Sequence, residues 1–292
     1  MKTLTVFTPT YNRAYCLENL YNSLKRQKNK DFIWLIIDDG STDYTADLVG
    51  KWKAEEELLI HYHYQENQGM HGAHNTAYNL IKTELNTCID SDDEMSEEAV
   101  EKIITFWKEY GGTHVSGIVG LDQDKKGNVI GTELPEKIEK STLFDLYYKH
   151  RVNGDKKLVY RSELTKRYPY PIFEGEKYLG LAYKYYLIDQ SYELLLMNEV
   201  LCTVEYLEDG SSMNMWKQYV NNPKGFAFYR KSLMQLPGVS WTFKFRQAIH
   251  YVSSSIFVKN KRFLIESPQK FYTLMALPLG LSLNLYIKRK LI

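Results

Sequence analysis

Cysteine is scarce and scattered in this 292-residue chain: Cys16, Cys88 and Cys202 share no CxxC or Cys/His spacing. That spacing excludes a zinc site and a disulfide framework. Net charge is nearly absent, since 37 Lys and Arg face 36 Asp and Glu. A nucleic-acid binder carries a basic excess or stripe, so no such partner is expected. The opening segment MKTLTVFTPTYNR lacks the apolar run and cleavage site of a secretory signal. The chain is therefore expected to begin folding in the cytoplasm. Internal repeats and low-complexity linkers are missing as well.

What the chain does have is material for a core, with 44% hydrophobic residues and 24 tyrosines. Leu4 to Thr8 reads as a buried strand ended by Pro9, after which Leu17, Leu20, Tyr21 and Leu24 recur at helical spacing. Phe32 to Ile37 is apolar at every position, as a parallel strand covered on both faces requires. A strand over Leu58 to Tyr64, a helix from Ala73 to Ile81, a strand over Thr87 to Ile89 and a helix capped by Ser96 continue the alternation. Such alternation implies a parallel sheet with helices on both sides.

Beyond residue 111 the pattern changes. Val115–Asp122 and Val129–Thr132 read as strands around a turn, Lys157–Tyr160 and Leu194–Tyr206 as further strands, and Glu176 to Ile188 as a helix. From Met213 onward the reading is helical. The expected class is α/β, with a mostly parallel central sheet, flanking helices and a helical C-terminal extension. The domain boundary is placed near 210, giving 1–210 and 211–292.

In such sheets the ligand site lies off the carboxyl ends of the strands. Four polar loops share that edge: Thr8–Arg13, Asp38–Asp43, Gln65–Asn75 and Asp90–Asp93. Asp90-Ser91-Asp92-Asp93 crowds carboxylates that repel one another unless a cation neutralises them. A hard divalent ion, Mn²⁺ or Mg²⁺, with phosphates completing its shell, would do so. A solvated acidic loop opening a helix is the other reading. In Asp38-Asp39-Gly40-Ser41-Thr42-Asp43, Ser41 or Thr42 can cap a helix, and a strand-end carboxylate can accept the imide N–H of a uracil. Thr8-Pro9-Thr10-Tyr11-Asn12-Arg13 completes a nucleotide pocket, with Thr8 and backbone for the base, Tyr11 for stacking and Arg13 for phosphate. Gln65–Asn75 (QENQGMHGAHN) carries Asn67, His71 and His74 without a zinc spacing. A phosphate or ribose contact near a helix N-terminus is one reading of it; capping or packing is the other.

Taken together, TPTYNR, IIDDGSTD, ENQGMHGAHN and IDSDDE, in this order over about 95 residues, resemble family 2 glycosyltransferases with the GT-A fold. The resemblance implies a Rossmann-like nucleotide-sugar domain and a metal-dependent, inverting transfer. The donor would be a nucleotide-diphosphate sugar, with UDP the expected nucleotide, and the cofactor Mn²⁺ or Mg²⁺. By the same resemblance Asp93 binds the metal, Asp92 the metal or ribose, and Asp39 the uracil, while Thr8, Pro9 and Arg13 line the pocket. His74 stands where many relatives have Arg.

The family's acceptor half carries an acidic pair that supplies the catalytic base. Here Phe173-Glu174-Gly175-Glu176-Lys177-Tyr178 puts Lys177 in place of the second acid. Glu176 is the first choice for the base and Glu174 the second. GEKYL and VEYLEDGSS resemble bacterial capsule and exopolysaccharide transferases, which implies a glycan or lipid-linked glycan acceptor. They also imply a loop, Val204–Ser212, closing over the donor with Glu205, Tyr206 and Asp209.

The tail from Phe271 to Ile287 is mostly apolar and precedes Lys288, Arg289 and Lys290. It falls short of the roughly 20 residues that span a bilayer, and Pro278 and Asn284 interrupt it. It reads as a peripheral contact with the inner face of the cell membrane, or else as a helix packed on the protein. Nucleotidyl transfer is disfavoured because Thr8–Arg13 has no glycine. An aspartyl phosphatase is disfavoured because Asp90–Asp93 follows the fourth strand and lacks the hydroxyl residue. Lys177 leaves open a non-catalytic nucleotide-sugar or glycan-binding partner.

Overall fold

The computed structural model describes residues 2–205, 207 and 215–290. They divide into two compact units: residues 1–68, 72–169 and 184–206, and residues 69–71, 170–183 and 207–292.

The chain opens with β1 (Leu4–Thr10), α1 (Ala14–Lys25), β2 (Phe32–Asp38), α2 (Thr45–Glu55), β3 (Ile60–Tyr64), α3 (Met70–Leu80) and β4 (Leu85–Cys88). It continues with β5 (Glu94–Met95), α4 (Ala99–Tyr110), β6 (Gly117–Gln123), β7 (Lys140–Ser141) and α5 (Leu143–Tyr148). After them come β8 (Lys156–Arg161), α6 (Ser162–Arg167), α7 (Ala182–Ile188) and β9 (Leu194–Thr203). The strands form one sheet in the order β3-β2-β1-β4-β8-β6-β9-β5, with β7 also paired to β9. The four strands from β3 to β4 run parallel. β8 is antiparallel to both β4 and β6, and β9 returns parallel to β6.

The parallel half is covered as its apolar strands require. Leu17, Leu20 and Leu24 of α1 are fully buried, and the Tyr21 ring stacks on Trp52 of α2 with centroids 4.4 Å apart. Trp34 of β2 lies beneath them, its indole N–H donating to the Thr8 hydroxyl at 3.0 Å.

β1 runs past Pro9 to Thr10, further than the sequence predicts. Its pairing with β4 ends at Phe7–Cys88, so beyond that point it is bonded only to β2. A missing N–H is tolerated where one neighbour has left. Val129–Thr132 is not a strand: Val129 makes a single bridge to Gln123. Gly131 then turns at φ +73 against the Asn153 carbonyl, where a Cβ would stand 2.1 Å from the oxygen. The helix expected from Glu176 begins at Ala182 instead, because the preceding stretch contains Gly175 at φ +78 and Glu176 serves another helix.

The second unit holds α8 (Met215–Asn221), α9 (Pro223–Leu233), α10 (Trp241–Val258), α11 (Phe263–Glu266), α12 (Lys270–Met275) and α13 (Leu277–Lys290). Its small core joins Met234, Ala248, Tyr251, Val252 and Ala276. Among the described residues no helix is long and apolar enough to cross a membrane.

Candidate active site

The four polar loops do gather at the carboxyl ends of β1 to β4, and hydrogen bonds knit them together. Asn12, in the left-handed region at φ 52, accepts the Thr42 and Asp43 amides on its side-chain oxygen. Its own amide donates to the Ser41 hydroxyl at 2.9 Å. Ser41 therefore braces the first loop rather than capping α2, whose N-cap position is Tyr44. Asp38 is also structural, accepting the Ser41 amide at 2.7 Å and the Tyr62 hydroxyl at 2.5 Å.

Asp39 closes the gap between β2 and β3. It is 4% exposed, and one carboxylate oxygen accepts the Gln65 side-chain amide at 2.7 Å and the Gln68 backbone amide at 2.8 Å. Gly40 beside it, at φ +89, lets Asn67 approach so closely that a Cβ would stand 3.0 Å from the Asn67 amide nitrogen. Tyr11 is half exposed at the rim, while Thr8 and Pro9 are buried within β1. His74 is buried against Phe7 and Tyr78, with ring centroids 5.1 and 5.8 Å away.

The acidic turn after β4 is divided between two in-chain cations. Arg13 Nη1 lies 3.2 Å from Asp92 Oδ2, and both side chains are less than one-fifth exposed. Asp93 turns inward, is 4% exposed, and meets Lys157 Nζ at 3.8 Å. Its other oxygen accepts the Glu205 backbone amide at 3.2 Å. Lys157 also lies 3.9 Å from Asp122. Burial pushes the Asp93 carboxyl above its ordinary value; Lys157 opposes this, and Asp90 and Asp92 reinforce it.

Lys157 has no counterpart among the residues the sequence singled out. It is the second residue of β8, and because β8 is antiparallel to β4, the first residues of β8 fall at the same edge where β4 ends. That orientation is a long-range pairing, so no local pattern announces it. The Lys-Lys pair preceding the apolar Leu-Val-Tyr of this strand is the only hint.

Carboxylate oxygens are the right donors for Mn²⁺ or Mg²⁺, and the turn gathers three carboxylates, Asp90, Asp92 and Asp93. The donor type therefore fits such an ion. No group of three or more His, Cys, Asp or Glu gathers into a self-sufficient metal cage among the described residues. An ion here would depend on phosphate oxygens to complete its shell.

The acceptor-side carboxylates belong to the second unit. Glu176 is 6% exposed, and its two oxygens accept the Lys224 and Gly225 amides at 2.8 and 2.7 Å, capping α9. Glu174 is exposed. Glu205 is ion-paired to Lys125; Tyr206 and Asp209 lie outside the described residues.

Residues 5–168 match the model of Glycosyl transferase family 2. The chain belongs to that family. This transferase is 26% identical over 217 residues to the Bacillus subtilis glycosyltransferase TuaG, named for teichuronic acid biosynthesis, covering 73% of this chain and 83% of TuaG. It is 25% identical to Streptococcus pneumoniae glycosyltransferase GlyA over 74% of its own length, but spans only 32% of that protein. Among solved structures, Staphylococcus aureus TarS 1-349 in complex with UDP-GlcNAc superposes with TM-score 0.62 at 18% identity, covering 96% of this chain and 81% of that one. The Pyrobaculum calidifontis mannosyltransferase PcManGT, in complex with GDP-Man and Mn²⁺, gives TM-score 0.56 at 16% identity, with 96% and 73% covered. The fold is thus GT-A, with the helical C-terminus added to its sheet.

Proposed function

We propose that the chain transfers a sugar, with inversion, from a UDP-sugar to the hydroxyl of a lipid-linked glycan. In this reading it serves bacterial surface polysaccharide synthesis at the inner face of the cell membrane. The observation that carries this is the shared edge of Asp39, the Arg13–Asp92 pair and Asp93. The B. subtilis relative's name and the UDP-GlcNAc complex of TarS support the setting and the nucleotide.

Asp39, which accepts the Gln65 and Gln68 N–H groups, would also take the uracil imide N–H. Arg13 would exchange part of its bond with Asp92 for diphosphate oxygens, a charge-assisted contact. Asp93 and Asp92 would hold Mn²⁺ or Mg²⁺, which when bound offsets charge on the departing diphosphate. Lys157 would keep the Asp93 carboxylate ionised and fixed. The proton of the acceptor hydroxyl would pass to a carboxylate. The role falls to Glu174, since Glu176 has both oxygens engaged in the α9 cap.

Thermal unfolding with UDP, GDP and CDP, each with Mn²⁺ or EDTA, tests the donor half, because a ligand bound to the folded state raises its apparent stability. The expected result is a UDP-selective shift that needs Mn²⁺ and vanishes in Asp93→Ala. Turnover then tests the base: Glu174→Gln should lose about 10²–10⁴ in rate while UDP still stabilises. A second reading, a non-catalytic nucleotide-sugar binding partner, is favoured by Lys177 and the capped Glu176. UDP binding with no transfer or hydrolysis of any UDP-sugar would select it.

A further inference from the structure

The helices α12 and α13 reverse the usual order of a surface helix, which buries its large apolar side chains and exposes polar ones. Their inward face is largely small and polar, with Ile287 its one fully buried large apolar side chain among the described residues. Thr273, Ala276, Asn284 and Ile287 are at most 2% exposed, and Gly280 packs so closely on α10 that a Cβ would stand 2.5 Å from Val252. Thr273 shares a hydrogen bond with Ser267, and Asn284 donates to the Ser253 carbonyl at 3.1 Å. Most of the large apolar residues point outward instead. Phe271 is 69% exposed, and Leu274, Met275, Leu279 and Leu285 are each half exposed or more. Phe271, Leu274 and Met275 are neighbours at i+3 and i+4, and Leu279 follows Met275 at i+4, so these four lie on one face.

Charge selects what covers this stripe. The near-neutral total conceals a polarised chain: residues 215–292 hold thirteen Lys and Arg and one acid, Glu266. Lys288 Nζ lies 5.5 Å from the Phe257 ring centroid, which brings the end of α13 beside the end of α10. Lys288, Arg289 and Lys290 thereby join Lys259, Lys261 and Arg262, which follow Phe257 along the chain. A second copy laid on this face would bring like charge to like charge. No described helix can cross a bilayer, so an apolar occupant must be met from the side.

We propose that the outward stripe of α12 and α13, with the basic cluster at its end, seats the C-terminal unit on an anionic lipid bilayer. The apolar side chains enter the headgroup boundary and the Lys and Arg residues meet lipid phosphates. The proposal shares the membrane-face setting of the proposed function and rests on it only there. Lipid binding is read separately from nucleotide binding.

The test is co-sedimentation of the full chain with vesicles of phosphatidylcholine alone or mixed equally with phosphatidylglycerol. UDP-dependent thermal shifts are measured on the same samples. Binding is expected only to the mixed vesicles and should weaken as salt rises. Lys288→Gln with Arg289→Gln should weaken it by about fivefold per charge removed. Leu274→Gln with Leu279→Gln and Leu285→Gln should abolish it while leaving melting and any UDP shift unchanged, since all three side chains are exposed. Equal binding of this triple variant, or no binding to mixed vesicles by the folded parent, would overturn the proposal. So would a dimer in sedimentation velocity that the triple variant dissolves. A lost UDP shift with lipid binding intact would count against the transferase reading alone.

Discussion

Leucines at the two ends of the chain are placed in opposite ways. Leu4, Leu17, Leu20 and Leu24 are fully buried, whereas Leu274, Leu279, Leu281 and Leu285 are each half exposed or more. Charge is sorted as sharply. Acids crowd the sheet edge and are answered by two cations from within the same unit, Arg13 and Lys157. The C-terminal helices collect bases with almost no acid to answer them. A charge cluster met by its own chain fixes the geometry of a site; one left unmet is available to something outside the chain.

The strongest way to break that contrast is to remove the internal answer. Lys157→Met would leave Asp93 and Asp122 buried without their shared cation. Loss of one partner from a buried ion pair costs about 3–5 kcal/mol, so the urea midpoint should fall by a corresponding amount. Adding Asp122→Asn should restore part of the loss, because it removes one of the two uncompensated charges. An unchanged midpoint in Lys157→Met would show that the acidic turn does not depend on its internal cation.

A smaller effect comes from pH, and the named groups of the two units respond in opposite senses. Burial holds the His71 and His250 rings down to about 4, below the ordinary 6.5. Between those values both are neutral when folded and charged when unfolded. The second unit therefore loses stability as pH falls from about 6.5 toward 4. For His71, which is 1% exposed, the loss approaches roughly 3 kcal/mol. In the first unit burial lifts Asp189 to about 7 from 3.8, although its carboxylate accepts the Leu143 and Phe144 amides. The folded unit keeps a proton that the unfolded chain has released. Its contribution is complete below 3.8 and is lost as pH rises through about 7. Hydrogen exchange on mild acidification should thus quicken in α9 and α10 before it quickens in β1 and β2. His71→Gln should blunt the effect in the second unit, and exchange that quickens uniformly would remove the contrast.

The same division decides what the sequence could reveal. β1, β2 and the loops at their ends were legible because each lies within a few residues of its own strand. Asp39, Asp92 and Asp93 follow apolar runs, and the runs place them. Lys157 was hidden because its position depends on β8 running antiparallel to a strand some seventy residues earlier. The sequence pattern makes Glu176 helical, whereas its side chain caps a helix that starts at Pro223, far along the chain. Val129–Thr132 alternates like a strand, yet Gly131 bends it against Asn153. Apolar content marked 271–287, but it did not show which residues face outward. Burying the small and polar side is a choice made by α10, into which Gly280 and Asn284 fit.

The smallest expected effect sharpens the contrast most. Leu20→Ala should cost about 2–5 kcal/mol, as truncation of a fully buried leucine does. Leu279→Gln, half exposed on α13, should stay within about 0.5 kcal/mol in the same urea titration. If Leu279→Gln instead destabilised the chain by more than a core truncation, the stripe would be part of the fold's own packing. A negligible change in stability, coupled to loss of binding to phosphatidylglycerol vesicles, would mean that these leucines hold nothing together inside the protein. Their placement would then be explained by what they meet outside it.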